Sequence, residues 1–329
     1  MTVRVYQSSD TGAPVLSGTA GALVGVLDAC LVGTAGIAYG STPSLGWTTA
    51  YTGTNLRAYR QPGGQQYYLK VRDDAPSVAN DARVRGFETM TQVTATNDGT
   101  DGTQLWPTAA ARATGIYVRK SSGADATYRS WIVVGDEQTF YMWTAPGDTA
   151  GVWCMWGYGD FYSTKTTSDV GKTWIGARGT ENSTTASDEE CDKLFTLNHS
   201  YSSLRNYSNR TSAGSAGGGT NMAFVGNSFL GSSSSSAVAM GSGSIFGLTI
   251  PTTHKIQLAQ VRVGQSDPSV NLRGRMRGLW YSNMPDSAMS HGLTFSGAGS
   301  LAGKSFMIVR KSGNSGHWIV EISNTWESN

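Results

Sequence analysis

One short pattern occurs twice in the chain, and it constrains the possible folds more than any other feature of the sequence. A Pro-Ser-Val triplet at 76–78 precedes an Arg-x-Arg-Gly motif at 83–86, and the same two motifs return at 268–270 and 275–278. The offset is 268 − 76 = 192 for the triplet and 275 − 83 = 192 for the motif. A shared order and spacing of this kind indicates two copies of one supersecondary unit.

Two further matches extend the repeat in the same order. Val-Arg-Lys-Ser occurs at 118–121 and 309–312, an offset of 309 − 118 = 191. Trp-Ile-Val occurs at 131–133 and 318–320, an offset of 318 − 131 = 187. A slowly falling offset is expected if the loops of the second copy have lost residues. The alternative is coincidence, because Arg, Ser, Gly and Val are common residues; the order and spacing favour duplication.

The composition predicts β-structure. Glycine contributes 42 of the 329 residues, and only 15% of the residues are charged, below the average of about 25% in globular proteins. Many Gly, Ser, Thr and aromatic residues with few Lys and Glu are typical of strands joined by turns. The clearest helical pattern is 19–32, with Thr19 as its N-cap and Gly33 as its stop.

Six strands are predicted in the N-terminal part of the chain from alternation or from short apolar runs. They are 2–8, 66–72, 83–89, 115–119, 129–134 and 138–144. The run 130–134 is almost entirely apolar, which predicts that both of its faces are buried. A short helix is predicted at 188–197.

Length and composition together predict two modules. A chain of 329 residues exceeds the usual size of one domain, about 150 residues, and Gly/Ser tracts lie near its centre, at 211–220 and 231–244. We predict an N-terminal β module at 1–150, an aromatic and Gly/Ser-rich connecting region at 151–253, and a C-terminal β module at 254–329. The fold prediction is therefore a mainly β protein of two related β-sandwich or barrel-like modules, with one N-terminal helix and long Gly/Ser-rich loops. The second module is expected to be related to residues 66–135.

Charge and hydropathy argue against several classes of partner. The net charge is only +2 and no basic run occurs, so a nucleic-acid partner is not indicated. Nothing approaches the roughly 18 consecutive apolar residues of a membrane span, and the first residues are typical of a strand rather than a signal peptide.

Motifs for cofactors and metals are also not indicated. No histidine has a second histidine or a cysteine at i+2, i+3 or i+4, and the glycines near residue 20 do not follow the G-x-G-x-x-G spacing. Cys30, Cys154 and Cys191 are widely spaced and odd in number, which favours reduced thiols and synthesis in the cytoplasm. We therefore predict no cofactor and no metal.

The arginines of the repeated motif are the first candidate site. Arg83 and Arg85 alternate along one predicted strand, so their side chains share a face. Arg275 and Arg277 repeat this arrangement. Two guanidinium groups on one face can bind a carboxylate, either inside the unit or at an interface with another subunit. The alternative is a solvated strand face. We predict an interface or salt-link role for these four residues rather than a catalytic one.

Aromatic residues beside Gly-rich turns are a second candidate set. Their rings are able to stack on sugars, although burial in a core is the alternative. The candidate glycan-stacking residues are Trp47, Trp106, Tyr158, Tyr162 and Trp280.

Adjacent carboxylates at 73–74, 136–137 and 188–190 raise the possibility of glycoside hydrolysis, which needs two carboxylates across a sugar. The first two pairs lie beside turns, where Asp commonly bonds to nearby backbone. The third suits the first turn of a helix, where negative charge complements the helix dipole. Local structural roles are favoured in each case, so we predict no catalytic residues and no enzymatic activity.

Several stretches carry a resemblance to a known family. They are Tyr-Arg-Gln at 59–61, Tyr-Tyr-Leu-Lys-Val-Arg-Asp-Asp at 67–74, and the segments 82–90, 131–143, 159–161, 277–280 and 293–297. With these stretches, most of the chain outside its Gly/Ser-rich centre resembles a family of structural proteins from tailed-bacteriophage virions.

The resemblance implies a non-enzymatic virion component of the tail, neck or baseplate. It would be made in the bacterial cytoplasm, and it would assemble with copies of itself and with other virion proteins. The resemblance supplies no catalytic residues. A receptor-binding tail protein that recognises host surface glycan is the alternative, and a glycan-degrading tail enzyme is a third hypothesis.

Overall fold

The fold is described from a computed structural model of the chain. It covers residues 2–74, 81–95, 98–107, 115–147, 151–165, 168–178, 204–211, 214–215, 222–225, 258–265, 271–282, 290–309 and 317–326. The predicted helix at 188–197 and the Gly/Ser tract at 231–244 lie outside these residues, as does most of the tract at 211–220.

The protein is mainly β, as predicted: of the residues that the structure describes, 50% are in strands and 8% in helices. All six strands predicted in the N-terminal part are present. They are the strands numbered β1, β6, β7, β9, β10 and β11 in the next sentence. The strands are β1 (Arg4–Gln7), β2 (Ile37–Tyr39), β3 (Thr42–Pro43), β4 (Thr48–Gly53), β5 (Leu56–Arg60), β6 (Tyr68–Arg72), β7 (Asp81–Met90), β8 (Gly102–Trp106), β9 (Ile116–Arg119), β10 (Trp131–Gly135), β11 (Thr139–Thr144), β12 (Cys154–Asp160), β13 (Tyr162–Ser163), β14 (Thr173–Arg178), β15 (Leu204–Ser208), β16 (Met222–Val225), β17 (Ala259–Gln265), β18 (Asn271–Ser282), β19 (Thr294–Ser296), β20 (Ser305–Val309) and β21 (His317–Glu321).

Two large antiparallel sheets contain nearly all of these strands. The larger sheet has twelve strands and runs β1-β10-β11-β12-β14-β9-β7-β6-β5-β4, with β15 beside β14 and β8 beside β7. The smaller sheet has seven strands and runs β16-β17-β18-β21-β20-β19, with β13 beside β18. Strands β2 and β3 form a separate ribbon. The described strands form no closed barrel, so of the two predicted module shapes only the sandwich-like one is supported.

The middle strands of the larger sheet are buried on both faces. In β10, Trp131 and Val133 belong to one hydrophobic cluster, which also includes the helix and strands β5 to β9. Ile132 and Val134 belong to a second cluster, which they share with the smaller sheet. Successive residues of a strand point to opposite faces, so β10 lies between two cores. The prediction for 130–134 is confirmed.

The predicted helix is present but shorter and less regular than its sequence pattern. It comprises α1 (Ala22–Leu27), continued by a π-helical turn (Asp28–Val32), and it ends at Gly33, as predicted, where φ is 69°. A π-turn holds one more residue per turn than an α-helix and occurs often at functional sites. No helix in the described part of the chain is long and apolar enough to span a bilayer.

The N-cap prediction for the helix is wrong. Thr19 makes no side-chain cap; the N-cap position is Gly21. The backbone N–H groups of Leu23 and Val24 instead donate to Asp73 Oδ2, at 2.8 and 3.4 Å. The acceptor that satisfies the start of this helix therefore comes from the end of β6, fifty residues away.

The strand pairing does not show the predicted duplication. Both copies contain an antiparallel hairpin, β6–β7 in the first and β17–β18 in the second. The later strands differ, because β20 pairs directly with β21, whereas β14, β12 and β11 separate β9 from β10. Strands β12, β14 and β15 also belong to the larger sheet, so the predicted boundary between residues 150 and 151 falls within that sheet.

Candidate functional site

The first Arg-x-Arg-Gly motif lies on β7 and is tied into the larger sheet. The guanidinium carbon of Arg83 is 5.1 Å from the centroid of the Tyr117 ring. Arg85 donates to Asp98 at 3.2 Å and to the backbone oxygen of Pro107 at 2.8 Å. Burial lowers the pKa of Arg85, an effect that Asp98 partly offsets. The two side chains share a face but have different partners.

The second motif lies on β18 and joins the two sheets. The guanidinium carbon of Arg275 is 5.0 Å from the centroid of the Tyr162 ring, and that of Arg277 is 4.6 Å from it. Arg277 also donates to Asp136, in the turn between β10 and β11. Its backbone oxygen accepts a hydrogen bond of 2.7 Å from the hydroxyl of Tyr141. Arg277 therefore links the smaller sheet to the larger one through both its side chain and its backbone.

The glycine that closes each motif lies beneath a tryptophan. A β-carbon at Gly86 would overlap the indole of Trp106, and one at Gly278 would overlap the indole of Trp326. Gly278 also has φ of 59°, where β18 shifts register against β17. Both motifs thus place one arginine over a tyrosine, the next arginine on an aspartate and the glycine under an indole.

Burial distinguishes the four arginines. Arg83, Arg85 and Arg277 are only 8%, 5% and 3% exposed, so the alternative of a solvated strand face does not describe them. Arg275 is partly exposed. An interface role with another subunit stays a prediction. Of the four arginines, Arg275 is the one whose partial exposure would let it contact another subunit.

A cation-rich face on β6, β7 and β9 was not predicted from the sequence. Several of its cations pair with carboxylates within the fold: Lys70 contacts Asp98 and Asp101, and Arg119 lies 3.3 Å from Asp81. The period of two along each strand would have revealed part of this face, including Asp81 on β7, but Asp98 and Asp101 come from the segment between β7 and β8. The cationic side chains are Lys70, Arg72, Arg83, Arg85 and Arg119.

Of the carboxylates considered for catalysis, Asp73 and Asp136 have structural partners, and 188–190 lie outside the described residues. Asp136 Oδ1 accepts the N–H groups of Gln138 and Thr139 at 2.8 and 2.9 Å, the local role predicted for it, while Oδ2 binds Arg277. Asp73 is fully buried and pairs with Lys120 as well as capping α1, so the local turn role predicted for it is wrong. Burial raises the pKa of Asp73, although Lys120 and the helix N–H groups lower it.

Asp160, at the end of β12, is a buried carboxyl that the sequence analysis did not single out. It accepts hydrogen bonds from the Thr173 hydroxyl at 2.6 Å and the Gln65 N–H at 3.0 Å, and Lys172 lies 3.8 Å away. Burial raises the pKa of Asp160 to about 6, and these three groups only partly counteract the effect.

Asp160 is expected to make the protein less stable as pH rises. Its folded-state pKa of about 6 lies above its ordinary value of 3.8, so the folded state holds the proton more tightly. The free energy of unfolding should therefore fall by about 2–3 kcal/mol between about pH 4 and pH 7 relative to the Asp160→Asn variant, which cannot ionise. Urea unfolding across this range measures the difference. Parallel pH curves for the two proteins would contradict it.

Three of the five candidate aromatic residues belong to the core. Trp47, Trp106 and Tyr158 are 2%, 0% and 0% exposed. The ring of Tyr158 lies 6.0 Å from that of Trp47 and 6.1 Å from that of Trp106, measured between centroids. These rings pack against each other and are not accessible to a sugar.

The other two candidates are partly exposed but are engaged within the fold. Tyr162 lies against the guanidinium of Arg277. The indole N–H of Trp280 donates to Glu321 at 3.3 Å, and its ring contacts Phe306 edge-on at 5.9 Å. Neither residue belongs to the hydrophobic cluster that contains the three core rings, so the structure brings together no five-residue aromatic platform.

The histidines form no metal site in the part of the chain that the structure describes. No group of three or more His, Cys, Asp or Glu residues there could hold an ion. His317 is fully buried, and His291 stacks on Trp153 with centroids 4.0 Å apart. His199 and His254 lie outside the described residues.

The cysteines differ from the expectation of three reduced thiols. Cys30 is free and buried, and burial raises its pKa well above the ordinary value. Cys154, in contrast, takes part in a disulfide bond. Cys191 lies outside the described residues.

An open cleft of about 370 Å³ lies beside the π-turn. Its charged groups are Asp28 and Arg57, whose Oδ2 and Nε atoms are 3.0 Å apart. The sequence analysis missed both residues; the only available signal was an acidic residue within an otherwise apolar helix. The full lining is Asp28, Ala29, Val32, Gly33, Thr34, Ala38, Thr49, Thr52 and Arg57.

No protein-family model matches the chain, and no curated protein is significantly similar to it.

Proposed function

We propose that this chain is a non-enzymatic structural component of a bacteriophage virion, in the tail, neck or baseplate. It assembles through contacts with copies of itself and with other virion proteins. The observation that carries the proposal is the internal pairing of the groups that could have performed chemistry. Arginines, lysines and carboxylates of both sheets bind one another and hold the fold together.

Five ion pairs in the described part of the chain have both partners no more than 3% exposed. Such pairs stabilise a fold less than apolar packing of the same volume, but they fix which elements meet. That property suits a subunit that must present one rigid shape to several neighbours. The pairs are Lys70–Asp101, Arg119–Asp81, Lys120–Asp73, Arg273–Asp169 and Arg277–Asp136.

The proposal retains the internal duplication. Its support is the shared environment of the two motifs, in which tyrosine, aspartate and tryptophan surround the same Arg-x-Arg-Gly residues. Strand pairing outside the two hairpins has then diverged. Strands β4 and β19 end the two sheets as described, and strand edges of this kind provide backbone groups for pairing with another subunit.

Cryo-electron microscopy of purified particles of the encoding phage tests the assignment. We expect copies of this fold in a closed ring, buried between other tail, neck or baseplate proteins. Mass spectrometry of the same particles provides the control, because it detects the chain whatever its position. Particles that lack the chain would contradict a structural role.

The alternative, a receptor-binding tail protein that recognises host glycan, is favoured by one observation, the open cleft at Asp28 and Arg57. In particles, copies at the distal tip with this cleft facing outward would support it over the structural role. A glycan-degrading enzyme is less well supported at this cleft, because Asp28 is the one carboxylate that lines it.

A further inference from the structure

We propose that the cleft beside the π-turn binds one neutral saccharide unit. The inference goes beyond a structural role in the virion, and it does not involve the aromatic residues considered from the sequence. It rests on four features of the cleft: its size, the fixed Asp28–Arg57 pair, the hydroxyl groups around that pair and the absence of net charge.

The cleft is built by three separate parts of the fold. The π-turn supplies Asp28, Ala29 and Val32, the following turn and β2 supply one wall, and β4 and β5 supply the other. Its volume of about 370 Å³ lies at the lower end of the range of about 300–1,000 Å³ for ligand sites. The size therefore suits one small ring rather than an extended chain.

The guanidinium of Arg57 is held in place with part of its donor capacity left over. Its Nε donates to Asp28, and one terminal nitrogen donates to the backbone oxygens of Gly53 and Leu56 at 2.9 and 2.8 Å. The other terminal nitrogen donates to no residue that the structure describes. Arg57 is 24% exposed, so this nitrogen is available to a ligand in the cleft.

Asp28 presents an acceptor beside that donor. Its carboxylate is fixed by Arg57 and by the Tyr59 hydroxyl at 2.9 Å, yet it remains 33% exposed. Each carboxylate oxygen can accept more than one hydrogen bond. A hydroxyl group both donates and accepts, so two neighbouring hydroxyls of a ligand match an acceptor and a donor placed side by side.

The rest of the lining combines hydroxyl groups with small apolar side chains. Thr34, Thr49 and Thr52 line the cleft, and their hydroxyls bond to no other described residue. Ala29, Val32 and Ala38 contribute apolar surface to the same lining. A sugar ring has the matching surface, because its hydroxyls project from the edge and its C–H groups form the faces.

Charge excludes other small ligands. Asp28 and Arg57 neutralise each other, so the cleft has no excess positive charge to hold a phosphate or a carboxylate. One carboxylate with three hydroxyls is also a poor match for Ca²⁺, which takes six to eight oxygens that usually include several carboxylates. A neutral, hydroxyl-rich ligand is the class that remains.

Saturation-transfer difference NMR on the purified chain tests the inference. The probes are glucose, galactose, mannose and N-acetylglucosamine, with sodium glucuronate as the charged comparison. We expect a saturable signal from at least one neutral sugar, with a Kd of about 1–10 mM, a usual strength for a single small subsite. Glucuronate should bind no more tightly than the neutral sugars, because the Asp28–Arg57 pair leaves no excess positive charge for its carboxylate.

Substitutions of residues that line the cleft test whether the sugar binds there. Ala29→Phe fills the cleft and should weaken binding by at least about tenfold, which corresponds to about 1.4 kcal/mol. Thr52→Val removes one hydroxyl at constant shape and should weaken it about threefold to tenfold. Thr48→Val is the matched control, since Thr48 is exposed on the same strand but does not line the cleft. Circular dichroism and the Tm establish that each variant is folded.

Three results would overturn the inference: no saturable signal from any neutral sugar at about 50 mM, a concentration well above the expected Kd; unchanged binding in folded Ala29→Phe; or binding of glucuronate alone. Because binding is measured on the isolated chain, its failure leaves the position of the protein in the virion unaffected. A chain that is absent from particles but binds sugar would contradict the proposed function and leave this inference standing.

Discussion

Replacing Arg277 with methionine is expected to destabilise the protein by about 3–5 kcal/mol, the usual cost of removing one partner of a buried ion pair. Asp136 is fully buried and would keep its charge without the guanidinium that now binds Oδ2. The Tyr162 ring would also lose the cation that lies 4.6 Å from its centroid. Urea unfolding followed by tryptophan fluorescence measures the change.

Two further variants separate the ion pair from the rest of the side chain. Arg275→Met removes a partly exposed arginine from the same motif and should cost less than about 1 kcal/mol. Arg277→Met combined with Asp136→Asn removes both charges, while the amide oxygen introduced at position 136 can still accept the backbone N–H bonds of the turn. The double variant should be more stable than Arg277→Met alone by more than about 1 kcal/mol. Equal stability of Arg277→Met and Arg275→Met would contradict the proposed link between the sheets.

Replacing Asp73 with alanine should have an effect at least as large. Asp73 caps the helix by accepting from Leu23 and Val24, and it neutralises Lys120, whose side chain is fully buried. Removing the carboxylate leaves the ammonium of Lys120 in the interior, at a cost of about 3–5 kcal/mol, and loss of the cap adds about 1 kcal/mol. The measurement is again the free energy of unfolding in urea.

The neighbouring aspartate provides the matched control. Asp74 pairs with Arg72 near the surface, with the two side chains 21% and 18% exposed, so Asp74→Ala should cost less than about 1 kcal/mol. Asp73→Asn should fall between the two, since an amide oxygen can still accept from the helix while the charge is lost. If the alanine variants of Asp73 and Asp74 are equally stable, the helix cap and the Lys120 pair contribute little.

Asp73 and Asp74 illustrate the limit of prediction from local sequence patterns. Both follow β6 and precede a proline, so the local pattern predicts the same turn role for each. Their difference depends on a helix fifty residues earlier and on Lys120, forty-seven residues later. No window of neighbouring residues contains either partner.

The Arg-x-Arg-Gly motifs were recognised, but their surroundings were not. Alternation places Arg83 and Arg85 on one face of a strand, and the structure agrees with that local geometry. The alternation does not reveal that a tyrosine, an aspartate and a tryptophan surround each motif, because these residues come from other strands and loops. The cleft at Asp28 was missed for the same reason, because its walls come from three separated segments.

The sequence by itself determined the mainly β class, most strand positions in the N-terminal part and the double burial of β10. These follow from period-two alternation, apolar runs and turn residues, which are properties of residues close together in the chain. Only the tertiary structure decided the order of the strands, the partner of each buried charge and the location of the cleft. Arg277 and Asp136 are 141 residues apart in sequence. Their contact depends on how two sheets pack, a long-range arrangement that local patterns do not encode.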